Sequence, residues 1–289
     1  MSFRIEELTI SASDGFPLAA TIFRSASSSA LLAVVAPALG VPRKYYAHFG
    51  RYLACCNIST ITFDYRGFGD SGPAWRPEAA ISMRDLGRRD LSAVLSFADA
   101  MKLGSDLYFV GHSFGTMALA FAPNAAVASR AISVATGSAY YRFQSFPRSL
   151  LRLVFSTVVV PRIARLHGYF PGRTFGVLGD IPQTIVADMA RCCRRKNFLK
   201  DSMADDLHGA PYRGDIWALS FSDDRLSPRA AVDHFHQNFS AARVLRSHFK
   251  PDEIGRRRVG HNGAFQLGSN ILWNEMVKWL QGAARATYR

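Results

Sequence analysis

Residues 107–121, LYFVGHSFGTMALAF, decide the fold of this chain. They begin with the apolar run Leu107 to Val110, which is typical of a buried strand, and they end with Thr116 to Phe121, which has the composition of a helix start. Between the two lies Gly111-His112-Ser113-Phe114-Gly115, a Gly-x-Ser-x-Gly pentapeptide. The stretch therefore predicts a strand, a sharp turn and a helix, with Ser113 at the turn.

The turn makes Ser113 a candidate nucleophile. A strained turn lifts the serine Oγ above the sheet, and a glycine on either side lets neighbouring backbone pack closely. A serine hydroxyl is a weak nucleophile unless a base takes its proton, and the usual base is a histidine oriented by a carboxylate. We therefore expect both partners at loop ends farther along the chain.

The later part of the chain supplies a histidine and two carboxylates. His261 lies in the glycine-bracketed loop 259–263 and is the candidate base. Asp223 and Asp224 follow the predicted strand 216–221, and either of them could orient the histidine. The order serine, acid, histidine is one that α/β enzymes with this kind of turn use.

Strand and helix patterns alternate on both sides of the turn. This order predicts a mostly parallel sheet with helices on both faces, which is an α/β fold. The chain opens with a predicted hairpin, in which Asp14-Gly15 forms a type I′ turn between strand-like residues 8–10 and 18–23. The other predicted strands are 31–36, 58–63, 107–110, 131–135 and 216–221, and the predicted helices include 45–56, 91–101 and 271–280.

Residues 138–213 interrupt this alternation and predict a helical cap. Helical fragments and several Pro and Gly residues pass before the strand pattern returns at Ile216. We interpret the segment as an insertion over the carboxyl edge of the sheet, where open α/β sheets bind ligands. Its aromatic side chains are expected mainly to pack, with some lining an apolar acyl pocket. The prediction is a single domain over residues 1–289 with a cap at approximately 138–213.

An acyl-transfer site also needs backbone N–H groups for the oxyanion of its tetrahedral intermediate. The usual donors are the residue after the nucleophile and a residue in the loop after the third strand, here Phe114 and Leu39. Pro37 in that loop has no N–H. We therefore predict the backbone N–H groups of Leu39 and Phe114 as the oxyanion hole, with Ala38 as the alternative to Leu39.

The positive charge of the chain is concentrated in the predicted cap. The formal net charge is +13, and residues 138–200 contain 11 Lys and Arg but only the acids Asp180 and Asp188, which leaves a local excess of +9. We favour a solvated basic face, with attraction of an anionic substrate or of an acidic membrane surface as alternatives. We expect no nucleic-acid partner, because no recognised binding motif accompanies the charge.

Composition and cysteine spacing indicate an ordinary globular protein without a cofactor. Hydrophobic residues make up 48% and charged residues 20%, which is unlike disordered or membrane proteins. The N-terminus carries acids and lacks the apolar run of a secretory signal, so we expect a cytoplasmic protein with reduced thiols. The cysteine pairs 55–56 and 192–193 fit no common zinc-ligand pattern, and we expect neither a metal nor another cofactor.

Several polar residues outside the candidate site have plainer interpretations. Asp64, Arg66 and Asp70 are expected to stabilise a loop by hydrogen bonding. His234 and His236 are expected on a solvated surface. His112, within the pentapeptide itself, is interpreted as packing beside the sheet.

The chain resembles proteins of the α/β-hydrolase fold over nearly its full length. The shared features are the loop 37–40, the segment 64–71, the Gly-x-Ser-x-Gly turn and the acid and histidine loops. It further resembles a bacterial group of predicted α/β-hydrolases of unassigned substrate, through residues 40–42, 168–173 and 192–195. In this family the acid stands four residues before a proline, which selects Asp224 over Asp223. Asn262 and Ala264 depart from the family pattern, in which bulkier residues flank the histidine.

The resemblance implies a serine hydrolase with the catalytic residues Ser113, Asp224 and His261. A carboxylic ester with an apolar acyl group is the default substrate, cleaved through an acyl-enzyme without a cofactor. Thioester hydrolysis, peptide or amide cleavage and acyl transfer use the same groups and stay open, because a fold does not determine a substrate. The alternative from another class is a binding protein of the same fold without turnover.

Overall fold

A computed structural model describes residues 3–27, 31–72, 81–101, 106–175, 179–202 and 212–282. In these ranges the central sheet has eight strands in the order β1-β2-β4-β3-β5-β6-β9-β10. A short antiparallel pair, β7 and β8, lies outside it. The strands are β1 (Phe3–Ser11), β2 (Pro17–Ser25), β3 (Leu31–Ala36), β4 (Ile58–Phe63), β5 (Leu107–His112), β6 (Arg130–Val134), β7 (Tyr169–Phe170), β8 (Ile181–Pro182), β9 (Asp215–Phe221) and β10 (Val244–Phe249).

Helices connect the strands. The structure gives α1 (Ala47–Cys55), α2 (Met83–Asp85), α3 (Ser92–Met101), α4 (Phe114–Leu119), α5 (Arg148–Val154), α6 (Val160–His167), α7 (Gln183–Arg194), α8 (Phe198–Ser202), α9 (Arg229–Phe235) and α10 (Asn270–Leu280). A π-helical turn joins α2 to α3 at Leu86–Leu91, and another joins α5 to α6 at Phe155–Val159. No helix in the described ranges is long and apolar enough to cross a membrane.

The sheet confirms the predicted α/β-hydrolase fold class. All neighbouring strands from β4 to β10 run parallel, whereas β1 and β2 are antiparallel to each other and β2 is antiparallel to β4. Alternate residues of the buried strand β3 enter two separate cores, since Val34 packs on one face and Val35 on the other. Helices α3, α4 and α7 contribute to the first core, and α1 and α10 contribute to the second.

The structure corrects the predicted hairpin turn. Ala12 N donates to the carbonyl of Phe16 across a loop that is longer than a two-residue turn. Gly15 has a φ of +79°, but Asp14 does not have a positive φ, so the type I′ prediction is wrong. Strand β10 was not predicted either, because its VLRSHF pattern alternates a partly apolar face with charged residues at the edge of the sheet.

The segment between β6 and β9 is largely helical. It carries α5 to α8, and α6 is followed by Gly168, which has a φ of +78° and the left-handed conformation that favours glycine. Residues 176–178 and 203–211 of the predicted cap lie outside the described residues. That the segment is a separate cap with the predicted bounds remains a prediction.

Candidate active site

Ser113 occupies a strained turn between β5 and α4. Its φ of +51° and ψ of −113° are unusual for a residue with a side chain. The flanking glycines make the turn possible, because a Cβ on Gly115 would lie 2.2 Å from the carbonyl oxygen of Ala36 and one on Gly111 would lie 2.4 Å from Oγ1 of Thr116. The turn therefore places the serine at the carboxyl end of β5, beside the loop that follows β3.

The structure brings Ser113 and His261 together. Nε2 of His261 lies 2.9 Å from Oγ of Ser113, and Nδ1 lies 2.9 Å from Oδ2 of Asp224. A carboxylate only accepts, so Nδ1 carries the hydrogen and Nε2 is free to accept the hydrogen of the serine hydroxyl. This is the order of contacts that base-assisted attack by a serine requires.

Asp224 is the buried acid of this chain of contacts. Oδ1 accepts hydrogen bonds from the backbone N–H groups of Leu226 at 2.8 Å and Ser227 at 3.1 Å, while Oδ2 faces His261. Burial alone would raise the pKa of this carboxyl, but the hydrogen bond and charge of His261 and the two amides lower it on balance. Asp224 therefore stays ionised.

Asp223 binds backbone N–H groups and not the imidazole that Asp224 contacts. Its Oδ2 accepts from the N–H of Val259 at 2.8 Å and its Oδ1 from the N–H of Gly260 at 2.9 Å. These two bonds tie the end of β9 to the loop that carries His261. Asp223 thus holds the backbone of the histidine loop, and Asp224 holds the imidazole.

The predicted oxyanion donors lie at the same site. Leu39 and Phe114 line one cavity with Ser113 and His261. In the described part of the chain, neither backbone N–H has a hydrogen-bond partner. The alternative donor is engaged, because the N–H of Ala38 donates to the hydroxyl oxygen of Tyr46 at 2.9 Å. Of the two candidates that the sequence offered in this loop, Leu39 is therefore the one whose N–H is not engaged.

Sequence reasoning missed the role of Tyr46. Its hydroxyl lies 2.8 Å from Nδ1 of His112, and Nε2 of His112 lies 2.9 Å from the carbonyl oxygen of His261. The carbonyl can only accept, so Nε2 of His112 carries the hydrogen and Nδ1 accepts from Tyr46. Burial lowers the pKa of His112 to about 3, which keeps the ring neutral. A buried chain of bonds thus joins Ala38, Tyr46, His112 and His261.

A cavity of about 400 Å³ opens onto Ser113, which is within the usual range for small-molecule sites. Its lining is mostly apolar. Side chains from α5 and α7 contribute to it, among them Arg152, Met189 and Cys193. Part of the segment between β6 and β9 therefore lines the same cavity as the candidate nucleophile.

The Asp64, Arg66 and Asp70 cluster is divided between two ion-pair networks. Arg43 donates to Oδ2 of Asp64 at 2.6 Å and to Oδ2 of Asp70 at 2.7 Å. Arg66 instead pairs with Asp90 at 2.6 Å and with Asp14. Both networks brace the loop after β4, and none of their residues lines the cavity.

His236 corrects a prediction of the sequence analysis. It is buried rather than solvated, with Nδ1 2.7 Å from the carbonyl of Val232 and Nε2 2.9 Å from Oγ of Ser133. Burial lowers its pKa to about 4. His234 is partly buried, with its ring against that of Phe143. Among the described residues no group of His, Cys, Asp and Glu side chains is arranged to hold a metal ion.

Comparison with known proteins matches most of the chain to one family model. Residues 33–267 match the model of a family described as the alpha/beta hydrolase family. That range includes the serine, both aspartates, the histidine and the two predicted oxyanion donors. A search of curated proteins found no match.

Solved structures share the fold at low sequence identity. A soluble variant of monoglyceride lipase from Saccharomyces cerevisiae, in complex with a substrate analogue, has a TM-score of 0.68 and 14% identity, over 99% of this chain and 96% of that one. The alpha/beta hydrolase GrgF from Penicillium sp. sh18 has a TM-score of 0.63 and 17% identity, over 97% and 99%. Est1E from Butyrivibrio proteoclasticus, with ferulic acid bound, has a TM-score of 0.60 and 13% identity, over 96% and 98%.

Proposed function

The chain belongs to the alpha/beta hydrolase family, and from that membership and the site geometry we propose that it is a serine hydrolase that cleaves an acyl bond. The default substrate is a carboxylic ester with an apolar acyl group, as for a carboxylesterase or lipase. The observation that carries the proposal is the continuous hydrogen-bonded chain from Ser113 through His261 to Asp224. It opens onto a largely apolar cavity large enough for an acyl chain.

In the first half of the proposed reaction, Oγ of Ser113 attacks the carbonyl carbon while Nε2 of His261 takes the hydroxyl proton. The ionised Asp224 stabilises the imidazolium that forms. The N–H groups of Leu39 and Phe114 bind the oxyanion, and each such donor is worth on the order of 10² to 10³ in kcat. The bond to the leaving alcohol then breaks, and the alcohol takes the proton from Nε2.

The second half releases the acyl group. Water attacks the acyl-enzyme, gives its proton to Nε2 of His261, and forms a second tetrahedral intermediate at the same two amides. Collapse returns the proton to Oγ of Ser113 and releases the carboxylic acid. The segment at 138–213 would serve as a cap that shapes the acyl pocket and limits access of water.

The test is covalent labelling. A fluorophosphonate probe should label the purified protein, and mass spectrometry of the digested protein should place the label on Ser113. Ser113→Ala should lose both labelling and turnover, with its melting temperature nearly unchanged, because only one hydroxyl is removed. Esters of increasing acyl chain length would then identify the preferred substrate.

The competing proposals give different outcomes. A binding protein of the same fold without turnover would neither label nor hydrolyse any ester. Labelling that persists in Ser113→Ala would move the nucleophile elsewhere. Labelling with faster transfer to an added thiol or alcohol than to water would indicate an acyltransferase instead of a hydrolase.

A further inference from the structure

Arg152 carries a charge into the candidate active site. It lies on α5 and lines the same cavity as Ser113 and His261. Nη1 of its guanidinium donates to the carbonyl oxygen of Leu226 at 2.8 Å. Of the residues that line this cavity in the described part of the chain, Arg152 alone is a permanently charged one.

The charge of Arg152 has no carboxylate partner in the described ranges. No Asp or Glu there lies within ion-pair distance of the guanidinium, and the nearby Asp224 is engaged with His261 and two amides. Burial raises the pKa of the neighbouring Cys193 thiol, so this thiol stays neutral and does not balance the cation. Burial also lowers the pKa of Arg152 itself, because its environment withholds water.

Two arginines that are more deeply buried than Arg152 show how this protein balances such a charge. Arg43 is bonded to Glu7, Asp64 and Asp70. Arg66 is bonded to Asp14 and Asp90. A desolvated guanidinium is unfavourable unless an anion and hydrogen-bond acceptors surround it. Arg152 is half-buried, and the groups its guanidinium meets are the carbonyl of Leu226 and the neutral thiol of Cys193, so its charge lacks an anionic partner that a ligand in the cavity can supply.

We propose that Arg152 binds an anionic group of the substrate, a carboxylate carried by the acyl or the alcohol part of the ester. This inference rests on the proposed function and adds a substrate class to it. A guanidinium has five N–H donors in a planar fork that matches a carboxylate, and Leu226 uses one of them. The cavity of about 400 Å³ accommodates an apolar chain between the reacting carbonyl and the anion.

Arg152 has one competing role. By binding the carbonyl of Leu226, whose N–H donates to Asp224, it could serve only to hold the acid loop. Loss of that support would lower the rate for every ester by a similar factor. Loss of an anion site would lower the rate selectively for the anionic ester, so matched substrates separate the two roles.

The experiment uses two pairs of esters at fixed ionic strength. On the acyl side, mono-p-nitrophenyl glutarate is compared with its methyl-capped diester, read as p-nitrophenol release. On the alcohol side, 4-butyryloxybenzoate is compared with its N-methyl amide. In at least one pair the wild type should prefer the anionic member. Arg152→Gln should lower the anionic-to-neutral ratio of kcat/KM by about 10- to 100-fold, the value of a charge-assisted hydrogen bond, and Arg152→Lys should retain part of it.

Arg148→Gln is the matched control. Arg148 lies on the same helix and is exposed, and its substitution by glutamine removes the same unit of charge. Its ratio should stay close to the wild-type value, because long-range attraction by one surface charge is weak and screened by salt. If the anionic-to-neutral ratio of kcat/KM fell equally in Arg148→Gln and Arg152→Gln, the preference would come from the overall basic surface, and the proposed anion site at Arg152 would be wrong.

Two further outcomes would overturn the proposal. One is a wild type that prefers the neutral member of both pairs. The other is an Arg152→Gln enzyme that loses the same factor for both members, which would leave Arg152 as a support of the acid loop. If no ester is hydrolysed and no probe labels Ser113, the proposed function fails separately. Anion binding is then judged by whether glutarate, compared with neutral glutaramide, raises the melting temperature of wild type and Arg148→Gln but not of Arg152→Gln.

Discussion

The hydroxyl of Tyr46 donates to Nδ1 of His112 across 2.8 Å, at the centre of a chain of bonds between two loops of the candidate site. At one end, Tyr46 accepts from the N–H of Ala38, in the loop that carries the predicted oxyanion donor Leu39. At the other end, His112 donates to the backbone carbonyl of His261. Tyr46 and His112 are therefore positioning residues that hold the oxyanion loop and the histidine loop in register with the serine turn.

We expect Tyr46→Phe to lower both stability and kcat. The change leaves the N–H of Ala38 and Nδ1 of His112 buried without partners, so the free energy of unfolding should fall by about 1–3 kcal/mol. The rate should fall mainly in kcat, since the loops that carry Leu39 and His261 move relative to the serine while the side chains that α5 and α7 contribute to the cavity stay in place. Urea unfolding and ester kinetics below the melting transition measure the two effects.

Tyr212→Phe is the control for Tyr46→Phe. Tyr212 is also a buried tyrosine, but its hydroxyl bonds to the carbonyl of Asp215 at the start of β9, the opposite end of the sheet from the site. It should lose stability without a comparable loss in kcat per folded molecule. If the two variants keep the same kcat, the Tyr46 chain supports the fold alone.

The sequence predicted the parts of this site that follow from strand order. Strand 58–63 was predicted with the bounds that the structure has. The carboxyl ends of parallel strands meet at one edge of a sheet, so Ser113 after β5 and Asp224 after β9 had to lie near each other. This proximity can be inferred from the residue type at each strand end, because the pairing of the strand backbones alone brings those ends together.

Pairings between polar side chains of different elements could not be predicted in this way. Tyr46 was part of an apolar helical pattern. Such a pattern predicts which face of the helix is buried, but it does not predict the hydrogen-bond partner of the Tyr46 hydroxyl. His236 was judged by its polarity, but its two ring nitrogens are satisfied by Val232 and Ser133, so burial is tolerated. The sequence also did not show that Arg152 lines the cavity. Composition shows that the segment is basic, but it does not show which of its arginines faces the site.

Gly115→Ala should disrupt the serine turn. A Cβ at Gly115 would lie 2.2 Å from the backbone oxygen of Ala36, which cannot move aside without displacing β3 and the oxyanion loop behind it. We expect a loss of about 2–4 kcal/mol in stability, in the range for overpacking and backbone shifts, together with loss of probe labelling. Circular dichroism melting and fluorophosphonate labelling measure both.

Gly263→Ala is the matched control near the same site. Its added Cβ would meet its nearest atom, Cγ1 of Val259, at 3.6 Å, which is an ordinary contact. Gly263 does not have a positive φ, so the backbone accepts alanine. Labelling at near the wild-type rate is expected there. Equal damage from both substitutions would mean that the region tolerates no added methyl group, and that the contact of Gly115 with Ala36 is not special.

Acid should destabilise the protein through its buried neutral histidines. The folded-state pKa of His236 is about 4 because of burial, whereas an unfolded histidine has a pKa of about 6.5. Between those values the unfolded state binds more protons, so the stabilising contribution is complete above about pH 6.5 and is lost as the pH falls toward 4. The slope from one such histidine is about 1.4 kcal/mol per pH unit.

Urea unfolding of wild type and His236→Gln between pH 7 and 4.5 measures this slope. The difference in unfolding free energy between the two proteins should shrink as the pH falls. The carboxyl of Asp90, whose pKa burial raises to about 6, acts with the opposite sign, but it is present in both proteins and cancels in the difference. His48→Gln, which changes an exposed histidine, is the control for the substitution of a histidine by glutamine. A constant difference for His236→Gln would show that this ring titrates normally.

The adjacent acids Asp223 and Asp224 should respond differently to the same substitution. Asp224→Asn keeps the shape of the side chain but presents an amide to Nδ1 of His261, which favours the wrong imidazole tautomer. We expect kcat to fall by a factor on the order of 10² to 10⁴ with folding intact. Ester kinetics on both variants, at equal folded fraction, measure the comparison.

Asp223→Asn should have a smaller effect on kcat and a larger one on stability. An asparagine keeps one acceptor oxygen, so one of the N–H groups of Val259 and Gly260 loses its partner and faces an amide hydrogen. The histidine loop is then held by one bond instead of two, which should lower the free energy of unfolding by about 1–2 kcal/mol and kcat by about tenfold or less. If Asp223→Asn lost most of its kcat and Asp224→Asn kept nearly normal kcat, the roles assigned to the two acids would have to be exchanged. Full activity in both would mean that neither carboxylate orients His261, and that the ionised acid beside the imidazole is dispensable for turnover.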